Sequence, residues 1–435
     1  MKDAIRQLTL IYLKTLATLQ LRKCSPEVIA ITGSAGKTSC RQAVSLLLSS
    51  GYKIHSTAGG LNSEWGVPLA ILEQESGYNS PVLWAKSLLG GLRKLLTDWG
   101  KYDFFIAELG VDKPNDMEYL LSFIHPTVGV VLNILPVHTE QFSSLGARSL
   151  ENIAAEKGKL IADLPSDGEA ILNFDDPEVS KMALVSRAHI TSFGLNPESD
   201  LWADAVEVGE FGFRMMVHHE GRSYAFSSNQ WLTHRYAYTF LAALAVGTVR
   251  GINLDRGIKI LANNYILPPG RMHRFVGVCG TTLIDSSYNA STTPMLAALD
   301  FLGTFSDRIK IAALGDMREL GPLAQEEHEK VAARAVQTAD SIVTVGPLME
   351  KYLRSKALSL GFPPEKITSF KSSVEAGEFI KKKLIKGGEV ILAKGSQNTI
   401  FMERLVEVLL DNLEEDRSKL CRRGKYWDQL RDKNF

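Results

Sequence analysis

The sequence predicts an α/β protein: a central P-loop nucleotide-binding domain on a mostly parallel sheet, followed by a Rossmann-like second α/β domain. Three observations carry this reading. Residues 28–41 (VIAITGSAGKTSCR) read as apolar strand, glycine loop, Lys-Thr and helix. Apolar runs then alternate with helical patterns along the chain, as in a parallel sheet. A fresh strand–helix series begins after Pro268-Pro269-Gly270-Arg271. The expected division is a helix over 1–25, a nucleotide-binding domain over 26–268, and a second domain with a helical tail over 269–435.

Leu8 to Leu21 is apolar but short, contains Lys14 and lacks a small-residue cleavage site. It is therefore expected neither as a signal peptide nor as a spanning helix. A helix packed on the first domain is expected, with an interfacial amphipathic anchor as the alternative. Val28 to Ile31 is the first buried strand. Thr32-Gly33-Ser34-Ala35-Gly36-Lys37-Thr38-Ser39 then supplies backbone N–H groups and a helix N-terminus for anionic oxygens. Lys37 would bridge β- and γ-phosphates, and Thr38 would offer a hydroxyl to Mg²⁺. A glycine turn with a solvated lysine is the bland alternative.

Ser56 to Pro68 reads as a loop before a helical Leu69 to Leu72. Tyr102 to Gly110 is a strand whose apolar body ends in Glu108, and a charge there usually faces a crevice. Thr127 to Leu132 is another strand, followed by Asn133 and His138. Glu108 and His138 are candidate Mg²⁺ ligands, although magnesium prefers oxygen. Residues 148–164 read as a helix with Lys157 on or near its apolar stripe, the usual place of a snorkelling lysine. Short antiparallel strands are expected over 200–227 and a helix over Arg235 to Val249. The second domain offers strands at 282–285, 310–314, 341–345 and 389–393, with polar loops after the first two. Asn412 to Phe435 reads as a charged helix.

Composition bounds the function. The chain has 435 residues, 45% hydrophobic and 23% charged, with 49 basic against 49 acidic side chains. A protein-wide field attracting nucleic acid or an anionic membrane is absent. The four cysteines form no CxxC pair, which suits a reducing compartment. A cytoplasmic monomer acting on small molecules, with neither nucleic acid nor membrane as partner, is expected.

Taken together, TGSAGKT, Leu61-Asn62 with Gly66-Val67-Pro68, Glu108-Leu109-Gly110, and Asn133 and His138 before Glu156-Lys157 resemble the Mur ligases. These are the ATP-dependent amide-forming enzymes of peptidoglycan synthesis. Asp285-Ser286-Ser287-Tyr288-Asn289-Ala290, Leu314 to Gly321 (LGDMRELG) and Lys394-Gly395-Ser396 point within them to one branch. That branch adds D-alanyl-D-alanine to a UDP-N-acetylmuramoyl-tripeptide. The resemblance covers about residues 26–410.

It implies roles. Lys37 and the loop amides would hold ATP. Thr38 and Glu108 would hold one Mg²⁺, with His138 at a second metal position. Lys157 matches a lysine that carries a carbamate, an anionic oxygen ligand for Mg²⁺. Asn62 would face the γ-phosphate. Arg271 and Asp285, with His234 before the long helix, would contact the nucleotide. Ser287, Tyr288, Asn289, Asp316, Lys394 and Ser396 would serve the dipeptide. A substrate carboxylate would attack the γ-phosphorus, and the resulting acyl phosphate would be captured by an amine, with domains closing near 268–270 to exclude water. The phosphate loop arrives at residue 33, without the preceding domain that grips the UDP-sugar in that branch. The expectation is that the acceptor is held otherwise, or is a different carboxylate such as a cofactor precursor or polyglutamate. A silent nucleotide-binding partner of cell-wall assembly is the non-enzymatic alternative.

Overall fold

The computed structural model describes the chain except residues 1, 58–59, 79, 137–148, 397–399, 425–426, 428–429 and 431–435. The backbone gathers into two compact units. One comprises Met1–Ala205, Met215–Phe226 and Ala237–Tyr265; the other comprises Val206–Arg214, Ser227–Tyr236 and Ile266–Phe435. The sequence alone suggests a single boundary at 268/269. Two short stretches from the strand-rich region instead group with the second unit, where Trp231 packs against Phe301 and Phe305 beneath Arg274.

The first unit opens with α1 (Lys2–Cys24), β1 (Glu27–Thr32), α2 (Lys37–Leu48), β2 (Ile54–Ser56), α3 (Gly66–Ile71) and α4 (Pro81–Thr97). It continues through β3 (Phe104–Glu108), α5 (Asp116–Leu121), β4 (Val128–Val131), α6 (Ser149–Ala162), β5 (Glu169–Asn173) and β6 (His189–Gly194). Strands β7 (Leu201–Gly209), β8 (Gly212–His219) and β9 (Arg222–Ser228) complete a nine-stranded sheet in the order β2-β3-β1-β4-β5-β6-β7-β8-β9. From β2 to β7 the pairing is parallel. β1 lies between β3 and β4, so the chain leaves its carboxyl end at a point where strand order reverses. Crevices in α/β sheets open at such points.

The local reasons are visible. β1 is buried at five of its six positions, as its unbroken apolar run demands of a central parallel strand. α3 starts earlier than the expected loop allows, because Ser63 accepts from Gly66 N and Val67 N and so caps the turn. Pro68 lies in its first turn, where a missing N–H costs nothing. Helix α4 begins at Pro81, with Ser80 Oγ accepting from Leu83 N. α1 packs through Leu13 and Leu16 on Leu69 and Leu72. Among the described residues no helix is long and apolar enough to cross a membrane.

The second unit carries β10 (His273–Gly277), β11 (Thr281–Ser286), β12 (Lys310–Gly315), β13 (Ser341–Val345), β14 (Ile367–Phe370) and β15 (Val390–Lys394). Their order is β10-β11-β15-β12-β13-β14, parallel except for β10. β15 lies between β11 and β12, and Lys394 stands in register with both Ser286 and Leu314. Three strand ends that are far apart in sequence thus meet at one edge.

Over residues 412–424 the tail departs from the expected charged helix. It forms a turn of helix over Leu413–Asp416 and a 3₁₀ turn over Arg417–Lys419, then buries Leu420 and Cys421. Leu420 joins the core of the second unit, and that burial outweighs the helical pattern. Arg422, also buried, pairs with the fully buried Glu403 and donates to Tyr288 O (2.6 Å) and Ser287 O (2.7 Å). Arg422→Ala would strand the Glu403 carboxylate, so a loss of roughly 3–5 kcal/mol is expected in urea denaturation of the full chain. The double change Arg422→Met with Glu403→Leu should recover only part of it, because Glu403 no longer leaves a stranded charge but the Ser287 and Tyr288 carbonyls still lose their donor.

Candidate active site

In the first unit the site grows from the loop between β1 and α2. Gly33 has φ 148° and Gly36, the residue before α2, has φ 85°. A Cβ on Gly33 would also come within 3.0 Å of Leu132 Cβ. Both positions therefore favour glycine. The loop is pinned from the neighbouring strand: Asn133 Oδ1 accepts from Ala35 N (2.8 Å), and Asn133 Nδ2 donates to Ala35 O (3.0 Å). Ser34 N donates to Asn133 O, and Ser34 Oγ accepts from Leu135 N (2.9 Å). Lys37 folds back over the loop and donates to Gly33 O (2.8 Å).

Glu108, at the carboxyl end of β3 and 4% exposed, is the meeting point. Its Oε1 accepts from Thr38 Oγ1 and from Asn62 Nδ2, each at 3.0 Å. Its Oε2 lies 3.5 Å from Arg41 Nε. The strand backbone is held too, since Glu108 N donates to Thr57 Oγ1 and Thr32 Oγ1 donates to Leu109 O. Gly110 N reaches Asn62 O at 2.7 Å, which anchors the Asn62 loop to the end of β3. Ser39 is buried in the first turn of α2.

Lys157, on α6, is 1% exposed. It does not snorkel. Burial and the nearby Lys37 charge push its pKa down to about 7, against support from Asp112, Glu156 and Asp116. Thr38, Asn62, Glu108, Lys37 and Lys157 are thus gathered in one unit. His138 lies outside the described residues. Among the described residues no cluster of three or more His, Cys, Asp or Glu side chains could hold a metal by itself. Thr38 and Glu108 do present hard oxygen donors beside the phosphate loop, the type that suits Mg²⁺ when substrate and water complete its shell.

The remaining predicted residues lie in the second unit. His234 is exposed on the turn before the Tyr236–Val249 helix. Arg271 lies over the Tyr288 ring at 4.5 Å. Gly270, at φ 70°, accepts from Tyr288 N, and a Cβ there would meet that nitrogen at 2.9 Å. Asp285 is fully buried at the end of β11, and its Oδ1 accepts from Ser287 N (3.0 Å). Burial pushes its pKa up to about 6. Asn289 Oδ1 accepts from Ala290 N (2.8 Å).

Lys394 turns inward. Its ammonium donates to Asn289 O (2.9 Å) and Ser286 Oγ (3.2 Å), so it braces the loop that the sequence reading has it flank. Ser396 Oγ donates to Ala290 O and accepts from Arg318 N, while Ser396 N donates to Asp316 O. Asp316 Oδ1 accepts from Met349 N (2.7 Å), and burial raises its pKa. The loops after β11, β12 and β15 are therefore cross-linked into one polar edge.

Sequence reasoning missed Arg41, Asp112, Asp116 and Arg422. Arg41 alone left a signal, lying four residues beyond Lys37 on one helical face. The others reach their places only through tertiary packing.

The family profile of the Mur ligase middle domain matches residues 31–247, and that of the Mur ligase glutamate ligase domain matches residues 270–397. The UDP-N-acetylmuramoyl-tripeptide–D-alanyl-D-alanine ligase of Escherichia coli (strain K12) is 27% identical over 390 residues, covering 88% of this chain and 77% of that protein. The ligase of the same name from Mycobacterium tuberculosis (strain H37Rv) is 28% identical over 343 residues, covering 77% of this chain and 61% of that protein. The crystal structure of the MurF ligase of Thermotoga maritima in complex with ADP superposes with a TM-score of 0.75 at 23% identity, covering 94% of this chain and 84% of that one.

Lys37→Ala removes the hydrogen bond to Gly33 O, worth about 1 kcal/mol. The melting temperature should fall by no more than about 4 °C, while calorimetric binding of ATP is lost. Wild-type binding in this variant would remove the phosphate-cradle reading.

Proposed function

The chain belongs to the Mur ligase family, and from there we propose that it is an ATP-dependent ligase joining D-alanyl-D-alanine to a UDP-N-acetylmuramoyl-tripeptide through an acyl phosphate. The observation that carries the reaction class is the Thr38–Glu108–Asn62 constellation beside the phosphate loop, with buried Lys157 in the same unit. The choice of substrates is supported by relatives of that name in two organisms, matched over both family domains.

The residues divide the work. Residues 33–38 present loop amides and the Lys37 ammonium to the β- and γ-phosphates, where charge gathers as the acceptor carboxylate attacks the γ-phosphorus. Asn62, tethered through Glu108 and Gly110, orients the reacting groups beside that phosphate. Magnesium, when bound at Thr38 and Glu108, would supply charge neutralisation on the triphosphate. In the second unit Ser287, Tyr288 and Asn289, with Asp316 and Ser396, form the polar edge that would receive the dipeptide, while Lys394 holds its shape. Arg271, Asp285 and His234 are proposed nucleotide contacts. The amine of the dipeptide then attacks the acyl phosphate, forming the amide C–N bond and releasing phosphate.

Lys157 has a particular part. A carbamate forms only on an uncharged amine, and a lysine brought down to about 7 offers a substantial neutral fraction at physiological pH. The nitrogen bonds to carbon dioxide and loses a proton, which turns a buried cation into an anionic oxygen donor. With ¹³C-bicarbonate, a carbamate carbon signal should grow as the pH is raised through about 7 and be absent in Lys157→Ala. A lysine that stays unlabelled at high bicarbonate would exclude the modification. Short carboxylic acids should partly restore turnover to the alanine variant.

The reaction is tested by phosphate release from ATP across a panel of carboxylates and amines. Release should require the muramoyl-tripeptide and D-alanyl-D-alanine together. Turnover with a folate-type or other carboxylate instead would overturn the acceptor but keep the ligase. Binding of ATP without turnover on any pair would favour the silent partner.

A further inference from the structure

The first unit carries a second apolar surface that its own core does not use. On α1, Ile5, Leu8 and Ile11, and on α4, Val82, Leu89 and Leu96, are between 60% and 76% exposed. The α4 trio recurs every seven residues and so forms one stripe. The opposite face of α4 is already occupied: Ser87 and Gly91 are buried, and Trp84, Leu88 and Leu95 pack with the Leu13–Leu16 cluster. The two helices lie side by side, since Tyr12 Oη donates to Leu88 O, Lys23 Nζ to Leu95 O (2.6 Å) and Cys24 Sγ to Gly100 O. Beyond the end of α4, Trp99 is 76% exposed, with the Lys23 ammonium 3.8 Å from its ring centre.

Charge distinguishes this face from an ordinary sticky patch. The chain as a whole is neutral, with 49 cations and 49 anions. Yet α4 contains Lys86, Arg93 and Lys94 and no acid, and α1 contains five cations and one acid, Asp3. Lys94 is committed to Glu73 and Asp98. Lys86 and Arg93 are exposed along one flank of the α4 stripe, and Arg22 is exposed near the end of α1. Apolar side chains bordered by cations, with an aromatic ring at the margin, match the headgroup boundary of an anionic bilayer. Neither helix is long and apolar enough to cross one. A second copy of the same face would set cation against cation, which opposes self-association.

We propose that the α1–α4 face docks the first unit onto the surface of a membrane containing anionic phospholipid, with Val82, Leu89, Leu96 and Trp99 entering the interface and Lys86 and Arg93 against the headgroups. This stands apart from the ligase reading and is tested without turnover. The full chain is floated with vesicles of phosphatidylcholine alone or mixed with phosphatidylglycerol. Binding is expected on the mixed vesicles, falling steeply with salt, and only weakly on the neutral ones. Lys86→Glu with Arg93→Glu should weaken it at least about tenfold, since each cation near such a surface counts for about 1 kcal/mol. Leu89→Glu with Leu96→Glu should abolish it at every salt concentration. These side chains are exposed, so circular dichroism and melting should match the parent and exclude misfolding as the cause. Absence of binding to mixed vesicles, or binding unchanged in both variants, overturns the proposal. So does a concentration-dependent dimer, seen in sedimentation, that Leu89→Glu with Leu96→Glu disperses while vesicles bind nothing.

Discussion

The first unit depends on one buried carboxylate. Glu108 ends a strand that is otherwise apolar, and its two oxygens gather α2 through Thr38 and Arg41 and the loop after β2 through Asn62. A carboxylate this buried is tolerated only where donors surround it. Among those donors, Thr38 and Asn62 are the residues proposed above to serve the triphosphate and its cation. The sheet makes the arrangement possible, because β3 and β4 flank β1 and bring Glu108 and Asn133 to either side of the glycine loop. On the proposed function, stability and chemistry draw on the same few hydrogen bonds.

The second unit solves a comparable problem with cations. Lys394 and Arg422 are both buried, and each uses its N–H groups on backbone carbonyls of the 286–289 loop. A polar loop at the end of a parallel strand has no ladder to satisfy its carbonyls, so buried donors take that role. The result is a rigid polar edge, held from β15 on one side and from the chain's tail on the other. Arg422 lies beyond the 270–397 span of the family's second domain, so this chain supports that loop with residues outside the matched region.

Two buried lysines illustrate how environment separates roles. Burial drives both Lys157 and Lys394 down to about 7. Lys394 has carbonyl and hydroxyl partners at hydrogen-bond distance and acts as a strut. Lys157 faces another cation, Lys37, with the carboxylates of Asp112, Glu156 and Asp116 nearby. An amine brought down by burial beside a phosphate-binding loop has the neutral fraction that a carbamate requires, whereas the Lys394 nitrogen is already engaged with carbonyl and hydroxyl oxygens.

By itself the sequence determined what short-range patterns can encode. Apolar runs of four to six residues gave the strands, and the glycine–lysine–threonine spacing gave the phosphate loop, because both are local consequences of backbone geometry. The carboxylate at the end of β3 was legible for the same reason. Tertiary structure decided the rest. It turned Lys394 onto Asn289 O, placed Asn133 as the clamp on Ala35, set Arg41 against Glu108, and interrupted the expected helical tail with a buried Leu420–Cys421–Arg422 segment. It also decided which apolar side chains of the cation-rich α1 and α4 stay exposed. Each of these joins residues tens to more than a hundred positions apart or turns on which face of an element is covered. Register and packing set such pairings, and no local pattern contains them.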